Sequence, residues 1–276
     1  MSSPPLLPTP GYQAGAGTPV LLLHGLGGTW RGWTPVLPYL EQHHTVIAPT
    51  LMGHGGGPAL DKGIQASVAS LADGIEAELD RLGIERAHLV GNSLGGWLAI
   101  ELARRGRGLS VVLFSPAGAW RTQRAIDIRA TVIRLSAGGL ARLAPHADTV
   151  ASSRLLRWLV FAAQVSHPDR IPADQFGAML RSSGSAPAVV PLVRTLPRRQ
   201  VDPLPAERDY PVRLVWCGKD RVLSLKSFGM PMLARLPGAE LTLLPGVGHI
   251  PMFDDPAGVA RQILDVTIAA DRSRQP

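Results

Sequence analysis

Three side chains in this 276-residue chain are of the types that nucleophilic hydrolysis requires: Ser93, Asp220 and His249. A serine hydroxyl is a poor nucleophile at neutral pH. It needs a base to take its proton, and the base needs an acid to fix its tautomer and stabilise the imidazolium. The setting of Ser93 is the most specific. A short apolar run, 87–90, meets Gly91-Asn92-Ser93-Leu94-Gly95, and a helical pattern follows at once through Trp97, Ile100, Leu102 and Ala103 to a stop at Gly106. A strand turning sharply into a helix leaves one side chain at the apex on strained backbone, and glycines at 91 and 95 remove the side chains that would collide there. The apex also sits at a helix N-terminus, whose free N–H groups and dipole favour the negative charge of an acyl-transfer oxyanion. The plainer reading, a tight turn with a capping serine, leaves the partners unexplained: the order Ser, Asp, His is the one associated with this elbow.

Each of the three follows a short apolar run. Residues 87–90 precede Ser93, 212–216 precede Asp220, and 239–244 precede His249. Further runs at 20–24, 45–48 and 109–114 alternate with helical patterns at 30–41 (broken by Pro35 and Pro38) and 64–82, and a last helix is expected over 256–270. Strands crossing over through helices give a mostly parallel sheet covered on both faces, and ligands bind at the carboxyl ends of its strands. All three side chains should therefore converge on one edge. The glycines of His24-Gly25-Leu26-Gly27-Gly28 follow the first run, so backbone N–H groups can face a ligand, and the Leu26 N–H can point at the space above Ser93. Neither a dinucleotide fingerprint nor a P-loop is present. The strand rhythm stops after Gly118 and resumes at Val212. Helical stretches at 125–135, 155–164 and 176–181, punctuated by prolines, predict an inserted helical cap over 119–209, with 1–118 and 210–276 as the core.

Composition narrows the partners. The net charge is +7, and residues 119–209 hold thirteen arginines against seven acids. A basic region of this kind attracts acidic substrates, anionic lipid or nucleic acid. The plainer account is a solvated arginine-rich surface, since arginine outnumbers lysine 25 to 3 throughout. No nucleic-acid motif accompanies it, so no nucleic-acid partner is expected. Cys217 is the single cysteine, no stretch approaches the roughly 20 apolar residues of a spanning helix, and the first residues lack signal-peptide character. A cytoplasmic protein without stable membrane insertion is expected. His43, His44, His88, His146 and His167 show no metal-ligand spacing, His54 reads as a loop residue, and no metal or organic cofactor is expected.

Taken together, these motifs resemble the α/β-hydrolase superfamily, especially its capped esterases and their relatives. The resemblance covers 20–118 and 210–270, with 119–209 where that family inserts its cap. Residues 24–28 are similar to its oxyanion loop, 91–96 to its nucleophile elbow, 216–222 to the strand end that carries its acid, and 246–256 to its histidine loop. The family usually opens with an antiparallel hairpin, and the Pro-rich residues 1–19 imply a reduced edge. The resemblance implies an α/β-hydrolase fold, Ser93 as nucleophile, His249 as base, Asp220 as its orienting acid, and the N–H groups of Leu26 and Leu94 as the oxyanion hole. It implies a small-molecule ester as substrate, with a C–C bond hydrolase or a lactonase as the alternative and a non-catalytic binding protein as a more distant one. Ile250 stands where C–C hydrolases commonly carry an aromatic residue. A serine at 93 argues against the dehalogenase and epoxide-hydrolase branches, for which the resemblance implies a carboxylate nucleophile. Asp254 and Asp255 read as the start of the last helix, and Trp120, at the cap entrance, is the one tryptophan expected to line a substrate pocket.

Overall fold

The run Val20-Leu21-Leu22-Leu23 is apolar at every position because its side chains serve two cores at once. Leu21 and Leu23 join the cluster on one face of a sheet, and Val20 and Leu22 the cluster on the other. The same division recurs in Val111 and Leu113 against Val112 and Phe114, and in Leu214 and Trp216 against Val215 and Cys217. The structure, a computed structural model, describes residues 10–60, 63–195 and 199–274. Residues 1–9 of the expected reduced edge lie outside the described residues, as do 196–198 of the expected cap.

Seven strands form one sheet. They are β1 (Gly11–Ala14), β2 (Pro19–Leu23), β3 (Thr45–Pro49), β4 (Ala87–Asn92), β5 (Gly108–Phe114), β6 (Val212–Cys217) and β7 (Glu240–Leu244), in the order β1-β3-β2-β4-β5-β6-β7. Only β1 runs antiparallel, paired with β3, so the N-terminal edge carries a single antiparallel strand among the described residues where a hairpin is usual. The first helical pattern resolves into a 3₁₀ turn, Trp30–Trp33, and the short α1 (Leu37–Leu40), with Pro38 tolerated in the first turn. Helix α2 (Val68–Arg81) begins four residues later than its apolar pattern suggests, because Ser67 and Ser70 cap each other reciprocally. Helix α3 (Leu94–Arg104) follows β4 directly.

Between β5 and β6 the chain forms α4 (Gln123–Leu143), α5 (Ala147–Ser152), α6 (Arg154–Phe161), α7 (Ala173–Gly184) and α8 (Val189–Thr195), with no strand among the described residues. The short α5 and α8 escape a reading of apolar periodicity. This insertion has its own core of Val150, Phe161, Val165, Ile171, Phe176 and Leu180, with Phe161 and Phe176 edge to face at 4.9 Å. A four-residue helix, α9 (Met230–Leu233), precedes β7, and α10 (Pro256–Arg274) closes the fold.

A buried polar network pins α10 beneath the sheet, at the end away from the strands' carboxyl termini. His88 bridges Ser110 Oγ at 2.8 Å and Asp271 at 3.0 Å, and His44 bridges the Thr18 carbonyl and Thr267 Oγ1. The ligand-type atoms of His44, His88 and Asp271 come within 4.8 Å of one another, a gathering that sequence spacing does not reveal. Every ring nitrogen in it already has a protein partner.

Candidate active site

Ser93 occupies the apex between β4 and α3 with φ 56° and ψ −117°, a conformation that costs a non-glycine residue about 1–3 kcal/mol. The surrounding glycines explain how the turn closes. A Cβ on Gly91 would strike the Gly95 carbonyl, one on Gly95 would strike the Leu23 carbonyl, and one on Gly96 would press on Pro116. The strained residue is held by its backbone: its N–H donates to the Phe114 carbonyl at 3.1 Å, and its carbonyl accepts from Gly96 and Ala117.

The glycine loop after β2 lies directly against this apex, with a Cβ built on Gly25 only 3.3 Å from the Ser93 Cβ. Gly27 adopts φ 73°, and the Gly28 N–H donates to the Gly25 carbonyl at 3.0 Å. The N–H groups of Leu26 and Leu94 donate to no partner among the described residues. They are the two donors the sequence predicts for an oxyanion. Beneath the loop, buried His24 donates from Nδ1 to the Gly25 carbonyl and accepts the Leu51 N–H at Nε2. Burial, with repulsion from His54 added, pushes its pKa down to about 3, so the imidazole that braces the loop is neutral. His54 lies in a loop, as expected, but is buried, its ring centroid 5.2 Å from that of His24.

Asp220 and His249 meet as expected, Nδ1 to Oδ2 at 2.7 Å, both almost fully buried. The other carboxylate oxygen accepts the N–H groups of Val222 and Leu223 at 2.8 and 2.7 Å. Burial works to raise the Asp220 pKa, but the His249 ring, the Leu223 N–H and the Ser115 hydroxyl together hold it below the ordinary carboxylate range. The acid is thus ionised and aimed at Nδ1, which leaves Nε2 of His249 to accept a proton. Ser93, His249 and Leu26 line one cavity with His24, Asn92, Phe161, Gln164, Met179, Ser182 and Ser183, and about 70 Å³ of it is open to a water-sized body. Trp120 is not on its wall. It is buried in the core cluster on the α2 and α3 face of the sheet, which corrects its expected place in a substrate pocket.

Sequence reasoning missed three residues that hold the arrangement together. Asn92 is fully buried, and its amide donates to the Phe114 carbonyl at 3.0 Å and the His249 carbonyl at 2.8 Å, tying the histidine to the residue before the serine. Ser115, at φ 39°, accepts the Cys217 N–H and so holds the end of β6 that leads to Asp220. Asp255 caps α10 through the Gly258 N–H, as its place before Pro256 predicts, but Asp254 does something else. Its carboxylate accepts the N–H groups of Gly248, Ser166 and His167 at 2.8–2.9 Å, clamping the histidine loop to the insertion. The insertion is tethered further by Ile250 N–H to the Gln164 carbonyl, by the Ser183 hydroxyl to the Gly27 carbonyl, by Ala188 N–H to the Gly53 carbonyl and by the Arg221 guanidinium to the Ala162 carbonyl.

Known proteins agree with this architecture. A family model described as "Alpha/beta hydrolase family" matches residues 20–262. A Mycobacterium tuberculosis protein named epoxide hydrolase EphH is 36% identical over 206 residues, 71% of this chain and 93% of that protein. A Pseudomonas putida 2-hydroxy-6-oxo-2,4-heptadienoate hydrolase is 42% identical over 100 residues, about a third of each chain. Among solved structures, a thermophilic esterase from Thermogutta terrifontis superposes with a TM-score of 0.71 at 23% identity, covering 94% of this chain and 93% of that one, a likeness of fold.

Proposed function

The chain belongs to the alpha/beta hydrolase family, and from that premise we propose that it is a serine hydrolase that cleaves a carboxylic ester through an acyl-enzyme. The observation that carries the reading is the shared cavity: a serine on a strained apex, a histidine paired to an ionised aspartate, and an unengaged Leu26 N–H all open onto it. Ser93 Oγ attacks the ester carbonyl as Nε2 of His249 takes its proton. The resulting oxyanion accepts the N–H groups of Leu26 and Leu94. Collapse expels the alcohol with the proton held by His249, and water, activated by the same ring, releases the acid and restores Ser93. Asp220 keeps the ring in the right tautomer and stabilises its cation. The helices within 119–209 act as the lid in this reading, and the lone Cys217 fits a cytoplasmic setting.

The name of the mycobacterial relative raises epoxide opening. Attack by a serine on an epoxide carbon would leave an ether with no carbonyl for water to reach, so this nucleophile suits acyl transfer. A second reading, hydrolysis of a C–C bond next to a ketone, is favoured by the stretch shared with the dienoate hydrolase and uses the same three residues. The test is a panel of p-nitrophenyl esters of graded chain length, a dienoate ketone and a terminal epoxide, assayed with wild type and Ser93→Ala. Ester turnover that falls by about 10³-fold or more in the variant supports the reading. Turnover confined to the dienoate ketone replaces it with the C–C reading, and epoxide opening that survives in Ser93→Ala overturns both.

A further inference from the structure

Helix α4 is 21 residues long and buries none of them completely, although its sequence is amphipathic. A helix of a self-contained domain normally turns its apolar stripe to the core. Here Ile128, Val132 and Leu135, spaced four and three apart on one face, stand exposed, Leu135 to 69%. Helix α6 does the same with Leu155, Leu156, Trp158 and Leu159, the last exposed to 61%. These two helices carry seven of the eleven large hydrophobic side chains exposed among the described residues. The concentration marks a surface built to be covered.

The charges around these faces show what covers them. On the core fold, Arg81, Arg86, Arg105, Arg107 and Arg213 are each paired to a carboxylate. On the two helices, Arg124, Arg134 and Arg154 are exposed and have no carboxylate partner among the described residues. Helix α6 contains no acid, and α4 contains only Asp127, which is engaged by Gln123. Arginine excess is general in this chain, and Arg261 and Arg272 on α10 also lack a carboxylate partner among the described residues, but on α4 and α6 the unpaired arginines share their helices with exposed leucine, isoleucine and tryptophan. A second copy would bring like charge against like charge. An anionic lipid surface supplies both missing partners, acyl chain for the apolar residues and phosphate for the guanidinium groups.

We propose that α4 and α6 form a docking surface for anionic phospholipid membranes, held peripherally by shallow burial of these side chains. No helix among the described residues is long and apolar enough to cross a membrane, which fits attachment from one side. Both helices reach the neighbourhood of the candidate active site: the Arg221 guanidinium, next to Asp220, donates to the carbonyl of Ala162 at the end of α6, and Arg129 on α4 feels the Asp220 charge. Docking would therefore hold the cavity close to the lipid. The proposal is independent of which bond Ser93 cleaves.

The test is co-sedimentation of the full chain with phosphatidylcholine vesicles and with vesicles in which a third of the lipid is phosphatidylglycerol, at low and high salt. The expected result is binding to the anionic vesicles alone, weakened by salt. It should be lost in Leu135→Ser/Leu159→Ser and reduced about fivefold per arginine in Arg134→Ala and Arg154→Ala. All these side chains are exposed, so far-UV circular dichroism and melting should match wild type. Absence of binding, or equal binding to neutral vesicles, overturns the proposal. Loss in the arginine variants alone would reduce the patch to a bare polyanion site and overturn it too. So would a dimer in sedimentation velocity that the leucine substitutions dissolve, which would assign the surface to a second copy.

Discussion

Asn92 performs no chemistry in the proposed reaction, yet it ties the base to the nucleophile's strand. Both hydrogens of its amide are used inside the protein, and the one given to the His249 carbonyl bridges 157 positions of sequence. Replacing it with alanine strips a buried carbonyl of its donor, which costs about 1–3 kcal/mol. Asn92→Asp is the sharper test, because an isosteric carboxylate would face two carbonyl oxygens. We expect Asp to destabilise more than Ala in urea unfolding, and kcat on an ester to fall by about 10-fold or more in both with a smaller change in KM. Asp220→Asn should keep the shape of the site while kcat falls by about 10³–10⁴-fold, since the amide can present its N–H to Nδ1 and so favour the wrong tautomer. The triad candidates were legible because each follows its own apolar run beside glycine. The role of Asn92 was hidden inside the same motif, because its acceptor is brought to it only by the closed sheet.

At the scale of elements, the strands were legible for the reason they are stable: runs such as 20–23 and 111–114 feed two cores in alternation. The start of α2 was not, because Ser67 and Ser70 cap one another without the acidic residue that usually marks such a box. Asp254 shows the limit most clearly. Next to Asp255 and Pro256 it looks like half of a helix start, but its three N–H partners come from the histidine loop and from residues 166 and 167. Asp254→Ala therefore removes a clamp between two elements and leaves the cap of α10 intact. With hydrogen bonds to a charged group worth about 1.5–3 kcal/mol each, the loss should exceed that of an exposed carboxylate severalfold. We expect Tm to drop by roughly 5 °C or more. Asp255→Ala, which loses a helix cap worth about 1 kcal/mol, should drop it less. Differential scanning calorimetry of the two variants separates the roles.

For the whole molecule, buried histidines set the response to acid. Burial lowers the pKa of His24 to about 3 and of His54 and His88 to about 4, and depresses that of His44 as well. An unfolded histidine titrates near 6.5, so between that value and the folded one the unfolded chain binds more protons and stability rises with pH. Their contribution is complete above about pH 6.5 and is lost as the pH falls toward 4. Melting temperature should therefore decline from pH 7 to 5, before ordinary carboxylates begin to protonate. His54→Asn should flatten part of that decline, and a Tm unchanged across the interval would contradict the linkage. The separate core of the insertion has a different consequence, for how such a protein diversifies. Phe161, Phe176 and their neighbours pack on one another, so substitutions there reshape the roof of the cavity while the elbow, the acid loop and the sheet keep their own packing. The Phe161 cluster behaves as an exchangeable part, fastened at Asp254, Ser183, Ile250 and Arg221, while Ala188 and Leu192 of α8 belong to the core of the sheet. A transplanted roof would need to keep those fasteners and the seat of α8, so new substrates can be explored without renegotiating the chemistry below.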